Sequence, residues 1–144
     1  MAGKRLISET PLAVAGIKTI KCEGSYDYPH LGKSSAYKKV NAHFTVTCVG
    51  TIPSDARFTQ LTISSKMLDT TDGRVGLVSR TSGRGRVMVG GDLACLAPTH
   101  RYRAVGAASI LFPPGYTPGS AQARAKSVEK RLARDPDTGN RTWR

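Results

Sequence analysis

The sequence predicts an all-β protein, an antiparallel β-sandwich of the immunoglobulin-like type or a small barrel. Short blocks of alternating apolar and polar residues recur along the chain, as in strands with one solvated face. Glycine and proline, 15 and 8 of the 144 residues, separate these blocks as turn residues do. Aromatic residues make up only 6% of the chain, so the core must consist mainly of small aliphatic side chains.

Six strands are predicted along the chain. The clearest covers 39–49, because apolar residues such as Val40, Phe44 and Cys48 alternate there with polar ones. A loop at 23–35 precedes it, and turns are predicted at 51–57, 72–73 and 81–83. The last strand ends at the prolines of 113–114, which cannot donate to a ladder. The complete set of predicted strands is 12–22, 39–49, 58–68, 74–80, 84–89 and 101–112.

The composition changes after Gly119 to Ala, Lys, Arg and Glu. We therefore divide the chain into an N-terminal extension at 1–9, a sandwich at 10–118 and a basic C-terminal arm at 119–144, which is helical in part. Val128 and Leu132 form one apolar i,i+4 pair, and Trp143 is the only tryptophan. These three side chains are predicted to anchor the arm on a partner, the alternative being a solvated tail.

The net charge of +12 predicts attraction to an anionic partner. The residues 121–144 contain seven Lys/Arg and three Asp/Glu, a net of +4, so the body carries the other +8. A phosphate-binding stripe would form if five arginines share a face. Aromatic residues for base stacking are missing nearby except Tyr102, which alternation turns inward, so a solvated basic face is the alternative. The five arginines are Arg80, Arg84, Arg86, Arg101 and Arg103.

Three cysteines permit one internal disulfide. Cys48 ends a strand on its apolar face, and Cys95 precedes the last strand, so the two could meet across a sandwich core. We expect them to pair if the protein is located outside the cytoplasm and to remain buried thiols otherwise, with Cys22 unbonded.

No catalytic motif is found. His30, His43 and His100 are far apart in sequence, and His43 is expected to be solvated on the polar face of its strand. No nucleophile elbow, phosphate-binding loop or zinc-protease motif occurs. No cysteine lies within four residues of another cysteine or a histidine, so no metal site is predicted. The chain is expected to be a non-enzyme without a cofactor.

A family resemblance rests on three segments: the HFTVTC strand, Cys95 leading into APTHRYRAVGAAS, and FPPGYTP. Together they resemble small uncharacterised secreted β proteins of actinobacteria, over Val40 to Pro118. The resemblance implies a sandwich linked by Cys48 and Cys95 with no known enzymatic activity. The extra Cys22, the basic extension and the poor signal peptide differ from that group, and they also suit a phage virion module.

These observations predict a structural or binding module that acts through protein–protein contacts in a multi-subunit assembly, such as a virion or similar particle. A basic nucleic-acid-binding protein and a secreted disulfide-bonded binding module are the alternatives. The expected partners are other subunits, and nucleic acid or another polyanion. No run reaches the roughly 20 apolar residues of a membrane span. An extracellular or virion location is favoured over the cytoplasm.

Overall fold

The strand predicted most clearly, 39–49, forms the centre of one of two sheets. The computed structural model describes residues 4–11, 18–33, 38–96, 98–133 and 141–142, with side chains described only for 18–133 within these ranges. Two antiparallel sheets pack together, and no closed barrel is formed by the described strands. The all-β sandwich prediction is confirmed. No helix long and apolar enough to span a membrane is present in the part of the chain that the structure describes.

The first sheet is built around β4. Along one edge of β4, β2 and β3 pair with successive parts of the strand, and β7 pairs along the other edge. An outer strand, β1, pairs with β2, so part of the predicted N-terminal extension belongs to the sheet. The strands of this sheet are β1 (Lys4–Pro11), β2 (Thr19–Tyr26), β3 (His30–Leu31), β4 (Lys39–Gly50) and β7 (Arg86–Ala94).

The second sheet is built around β8 in the same way. One edge of β8 pairs with β5, which in turn pairs with β6. Along the other edge of β8, β10 and β9 pair with successive parts of the strand, and β11 pairs with β10. The strands of this sheet are β5 (Gln60–Asp69), β6 (Ser79–Arg84), β8 (His100–Leu111), β9 (Ser120–Lys126), β10 (Lys130–Ala133) and β11 (Arg141–Thr142).

Both central strands have a partner strand that is interrupted and bridged by a side chain. Between β2 and β3, the carboxylate of Asp27 accepts a hydrogen bond from the backbone N–H of His43. Between β9 and β10, the hydroxyl of Ser127 accepts the N–H of Ala104 at 2.9 Å. Each bridge satisfies a buried or half-buried N–H that the ladder leaves without a backbone acceptor.

Gly85 carries the chain from the second sheet to the first. Its φ of 72° lies in the left-handed region, which glycine adopts without steric cost. Its N–H donates to the carbonyl of Thr59, and its carbonyl accepts the N–H of Cys48. The predicted turn at 81–83 is therefore wrong, because those residues belong to β6 and the reversal in direction occurs at Gly85.

The core lies between the sheets. The rings of Tyr26 and Phe44 stack at 4.8 Å, and the Tyr26 hydroxyl bonds to Ser65 of the second sheet at 2.7 Å. Burial raises the pKa of Tyr26 to about 12. The other large side chains that are fully buried are Ile20, Val40, Val46, Leu61, Ile63, Met67, Tyr102, Ile110 and Leu132.

Other predicted elements need smaller corrections. The strands predicted at 58–68 and 101–112 correspond to β5 and β8. The predicted turn at 51–57 contains a short helix, α1 (Pro53–Phe58), which begins at a proline. The loop predicted at 23–35 starts later, because β2 continues to Tyr26 and β3 follows.

The largest correction concerns the C-terminal arm. The arm at 119–144 was predicted to be helical in part, but its described residues up to Ala133 include β9 and β10 of the second sheet. Alternation explains the error, because Ala121, Ala123 and Ala125 face the core while longer polar residues face solvent. Alanine is a strong helix former, and here the unpaired edge of β8 outweighs that local preference.

Candidate nucleic-acid interface

The outer surface of the second sheet carries most of its charged residues. On β5, β6, β8, β9 and β10, these side chains alternate with buried or partly buried neighbours and point away from the core. No carboxylate faces outward among the described residues of these five strands. We call this surface the basic face, and it consists of Lys66, Arg80, Arg84, Arg101, Arg103, Arg124, Lys126 and Arg131.

Strand register aligns the cations on both sides of a shallow groove. One row across the sheet reads Arg80, Ser64, Ala107, Arg124, and the next reads Lys66, Val105, Lys126. Strands in a sheet lie about 4.8 Å apart, so Arg80 and Arg124 are separated at their backbones by about 14 Å. Small side chains between them leave a groove of about 580 Å³ with cations on both rims.

A second part of the basic face lies near the start of β8. Arg101 and Arg131 are directly opposite each other on paired strands, an arrangement that destabilises a sheet when nothing neutralises the charges. Glu129 is 3.9 Å from Arg101 and provides partial compensation. With Thr70, Thr71 and Thr99, these residues line a polar hollow.

The positive charge of the basic face is largely unneutralised. Of its eight cations, only Arg101 has a carboxylate oxygen within 4.0 Å among the described residues. Arg103 is half-buried, and its Nε has no hydrogen-bond partner in the described part of the chain. Eight neighbouring cations with one ion pair raise the free energy of the folded state unless an anion binds there.

An aromatic side chain stands at one end of the basic face. Phe58, the last residue of α1, is 59% exposed, and the guanidinium of Arg84 lies 5.8 Å from its ring centre. Leu111, also exposed, is opposite Gln60 in the same part of the sheet. A stacking surface of this kind was missed in the sequence, because Phe58 had been placed inside a predicted strand.

Four of the five arginines predicted to form a stripe lie on the basic face. Arg80 and Arg84 lie on β6, and Arg101 and Arg103 lie on β8. Arg86 does not, because it follows the Gly85 corner and lies opposite Thr47 on the outer side of the first sheet. Sequence reasoning missed Lys66 and the three cations of β9 and β10, and the strict alternation of 120–126 was the signal that could have found them.

The predicted disulfide is wrong. Cys48 bonds to Cys22, its direct neighbour on the paired strand β2, while Cys95 is a buried thiol. Cys95 follows β7, whose end lies beside Lys39 at the start of β4. Cys48 is nine residues further along β4, about 30 Å at 3.4 Å per residue. Both lie in the same sheet, so the expectation that they meet across the core fails.

The predicted partner anchors separate in the structure. Leu132 is fully buried in the core, and Val128 is 43% exposed between β9 and β10. Trp143 lies outside the described residues. Because Leu132 faces inward and Val128 does not, they form no common stripe, and Leu132 is unavailable to a partner.

Among the described residues, two clusters contain histidine and carboxylate groups close enough to hold a metal ion. Asp27, His30 and His43 meet at the interruption between β2 and β3, so His43 is not simply a solvated histidine. Asp69, Asp72 and His100 meet near the start of β8. In the second cluster, Asp69 already accepts hydrogen bonds from Arg74 at 2.7 Å and from His100 at 2.6 Å.

Comparison of the chain with protein-family models, with curated proteins and with solved structures found no match. The resemblance to secreted actinobacterial proteins stays a prediction. Function must therefore be argued from the site itself.

Proposed function

We propose that this protein binds nucleic acid through the basic face, by contacts to phosphates rather than by reading base edges. The observation that carries the proposal is the set of eight outward cations with a single ion pair among the described residues. Phosphate contacts of Arg and Lys supply most of the affinity of proteins that bind without sequence preference. Serine, threonine and glutamine on the same surface add neutral donors to phosphate oxygens.

The groove supports this proposal because its cations are positioned by strands. Lys66, Arg80, Arg124 and Lys126 come from three strands that pair directly or through β8, so their backbones hold one arrangement. Phe58 beside Arg84 adds an apolar ring and a guanidinium plane on which an unpaired base can stack. A single strand would gain this stacking, and a duplex would not.

Neutralising the groove is expected to abolish most of the binding. The variant combines Lys66→Gln, Arg80→Gln, Arg124→Gln and Lys126→Gln, all at outward positions, so the fold should persist by circular dichroism. Each phosphate contact to a single strand contributes about 0.7 to the slope of log affinity against log salt concentration. Loss of all four contacts should therefore reduce the magnitude of this slope by about 3. The affinity at about 50 mM salt should fall at least 100-fold. Fluorescence anisotropy of a labelled oligonucleotide measures both quantities.

The matched control removes the same net charge from other surfaces, with Lys21→Gln, Lys38→Gln, Lys39→Gln and Arg86→Gln. It should bind within about threefold of the wild type at the same salt. An equal loss in the control would show that net charge alone attracts the oligonucleotide, and the proposal would be rejected.

In the same assay, Phe58→Ala should weaken single-stranded binding about tenfold and leave duplex binding unchanged.

A second candidate function is self-assembly, and exposed apolar residues at an unpaired edge favour it. Val75, Leu77 and Val78 are 58%, 88% and 56% exposed, just before β6. Among the described residues, β6 pairs only with β5, and β7 pairs only with β4, so both strands present an open edge. Exposed edges and apolar side chains together suit pairing with a second copy of the chain. A subunit of a nucleic-acid-containing particle, such as a virion, would use both features.

Self-assembly predicts a mass above the 15.4 kDa of one chain in light scattering after size exclusion. Leu77→Asp should reduce the mass to that of the monomer, because a charge in an apolar contact is costly to bury. Val49→Asp places the same charge on the outer side of β4, which is paired along both edges and where the residue is also exposed, and it should leave the mass unchanged. A wild type that elutes as a monomer at high concentration would exclude this candidate.

A further inference from the structure

Three potential metal ligands converge where the partner strand of β4 is interrupted. The carboxylate Oδ2 of Asp27 lies 2.7 Å from Nδ1 of His43 and 3.9 Å from Nδ1 of His30. One ligand atom from each residue lies within 4.8 Å of the other two. The side chains are between 35% and 39% exposed, so an ion could reach them from solvent.

The backbone holds these residues in place without a metal. Asp27 donates its N–H to the carbonyl of His43, and its Oδ1 accepts the N–H of His43. His30 begins β3 and lies opposite Asn41, two residues before His43 on β4. The two imidazole rings therefore stack on one another, with centres 5.4 Å apart and planes at 26°. Ligands placed by paired strands lose little conformational entropy on binding an ion.

The donor set favours a transition metal over calcium or magnesium. Two imidazole nitrogens and one carboxylate oxygen are typical ligands of Zn²⁺, whereas Ca²⁺ and Mg²⁺ require mostly oxygen. With metal–ligand distances of about 2.1 Å, tetrahedral donors lie about 3.4 Å apart. The observed separations of 2.7 and 3.9 Å from Asp27 Oδ2 bracket this value, so small side-chain rotations would suffice.

We propose that Asp27, His30 and His43 bind one Zn²⁺-like transition-metal ion, with the remaining coordination position open to water. The ion takes the place of the proton between Asp27 and His43, and that ring carries its proton on Nε2 instead. His43 Nε2 lies 3.4 Å from Asn41 Nδ2, and with this amide turned over its oxygen accepts a hydrogen bond from the Nε2–H. His30 Nδ1 gives up its 3.0 Å contact with the carbonyl of Tyr28.

The site is separate from the basic face, since it lies on the first sheet. Sequence spacing did not reveal it, because His43 lies 13 residues after His30 and the histidines fit no recognised metal-binding motif. The other cluster is a poorer ligand set. Asp69 is fully buried there, and its oxygens already accept four donors: Arg74, His100 and the backbone N–H groups of Thr71 and Asp72.

The test is titration of the untagged protein with Co²⁺, followed by displacement with Zn²⁺. Co²⁺ bound by nitrogen and oxygen ligands in a four-coordinate site gives visible absorption, and we expect one ion per chain. Zn²⁺ should abolish the absorption and raise the melting temperature by about 4 °C or more at saturation. His30→Gln, His43→Gln and Asp27→Asn should each lower the affinity at least tenfold.

The matched control is Asp72→Asn, which changes the exposed carboxylate of the second cluster and should leave the titration unchanged. Circular dichroism checks that each variant is folded, which is expected because the three ligand side chains are 35–39% exposed. Absence of Co²⁺ absorption and of a Zn²⁺-dependent shift in melting temperature would overturn the proposal. Binding that is lost in Asp72→Asn but kept in His30→Gln would place the ion in the other cluster and would also overturn it.

Discussion

Removing residues 120–144 is expected to abolish cooperative thermal unfolding of the whole domain. The deletion takes away β9 and β10, which pair with one entire edge of β8. It also removes Leu132, whose side chain is fully buried, and Ser127, whose hydroxyl accepts the N–H of Ala104. The exposed edge and the opened core would together cost on the order of the 5–15 kcal/mol by which domains are typically stable. Thermal circular dichroism measures the outcome.

The deletion also removes charged residues, so two substitutions that leave the net charge unchanged test whether lost burial causes the loss of stability. Leu132→Ala should lower the free energy of unfolding by about 2–5 kcal/mol, the usual cost of emptying a core position. Val128→Ala removes an apolar side chain that is 43% exposed and should cost less than about 1 kcal/mol. A truncated chain that still unfolds cooperatively at the wild-type temperature would contradict the placement of β9 and β10 in the second sheet.

Replacing Asp69 by asparagine is expected to lower the free energy of unfolding by about 3–5 kcal/mol. Asp69 is fully buried, and its carboxylate accepts hydrogen bonds from Arg74 and His100 as well as two backbone N–H groups. Asparagine has a single acceptor oxygen and directs N–H groups at one or more of these donors, which leaves Arg74 without its buried counter-charge. Urea unfolding near neutral pH measures the difference.

Asp69 should also make stability depend on acid pH. Burial alone would raise the pKa of Asp69, but hydrogen bonds from Arg74, His100 and the backbone N–H groups of Asp72 and Thr71 outweigh it and lower that pKa. The stabilisation is therefore present above the ordinary value of 3.8 and is lost as the pH falls below it.

The difference in the free energy of unfolding between wild type and Asp69→Asn should thus become smaller below about pH 4. Asp72→Asn is the control, because Asp72 is exposed and contacts Arg74 at 3.3 Å, and it should cost less than about 1 kcal/mol. If wild type and Asp69→Asn lose stability in parallel below about pH 4, the acid sensitivity belongs to other carboxylates.

Local patterns predicted the parts of this fold that depend on short-range alternation. The strands β4, β5 and β8 follow from apolar and polar residues at every second position, since a half-buried strand requires that order. The same alternation is present in β9, but alanine at its inward positions suits a helix equally well. In such a segment, only the presence of an open strand edge decides between the two structures.

The functional candidates show the same division. Four arginines could be assigned to one face from β6 and β8, because alternation within a strand determines which side a residue takes. Arg86 and the Cys22–Cys48 bond could not be assigned, since they depend on where the chain changes sheet and which strands become neighbours. The cluster of Asp27, His30 and His43 also requires the register of β3 on β4.

By itself, the sequence determined the all-β class, the basic charge and the inward or outward side of each residue in its clearest strands. These properties depend on residue type and on a period of two, both of which are local. The tertiary structure decided strand neighbours, the disulfide partner of Cys48, the inclusion of β9 and β10 in the sheet, and the meeting of groove cations from three strands. Such contacts join residues distant in the chain, and their energies depend on pairing and burial that no short segment contains.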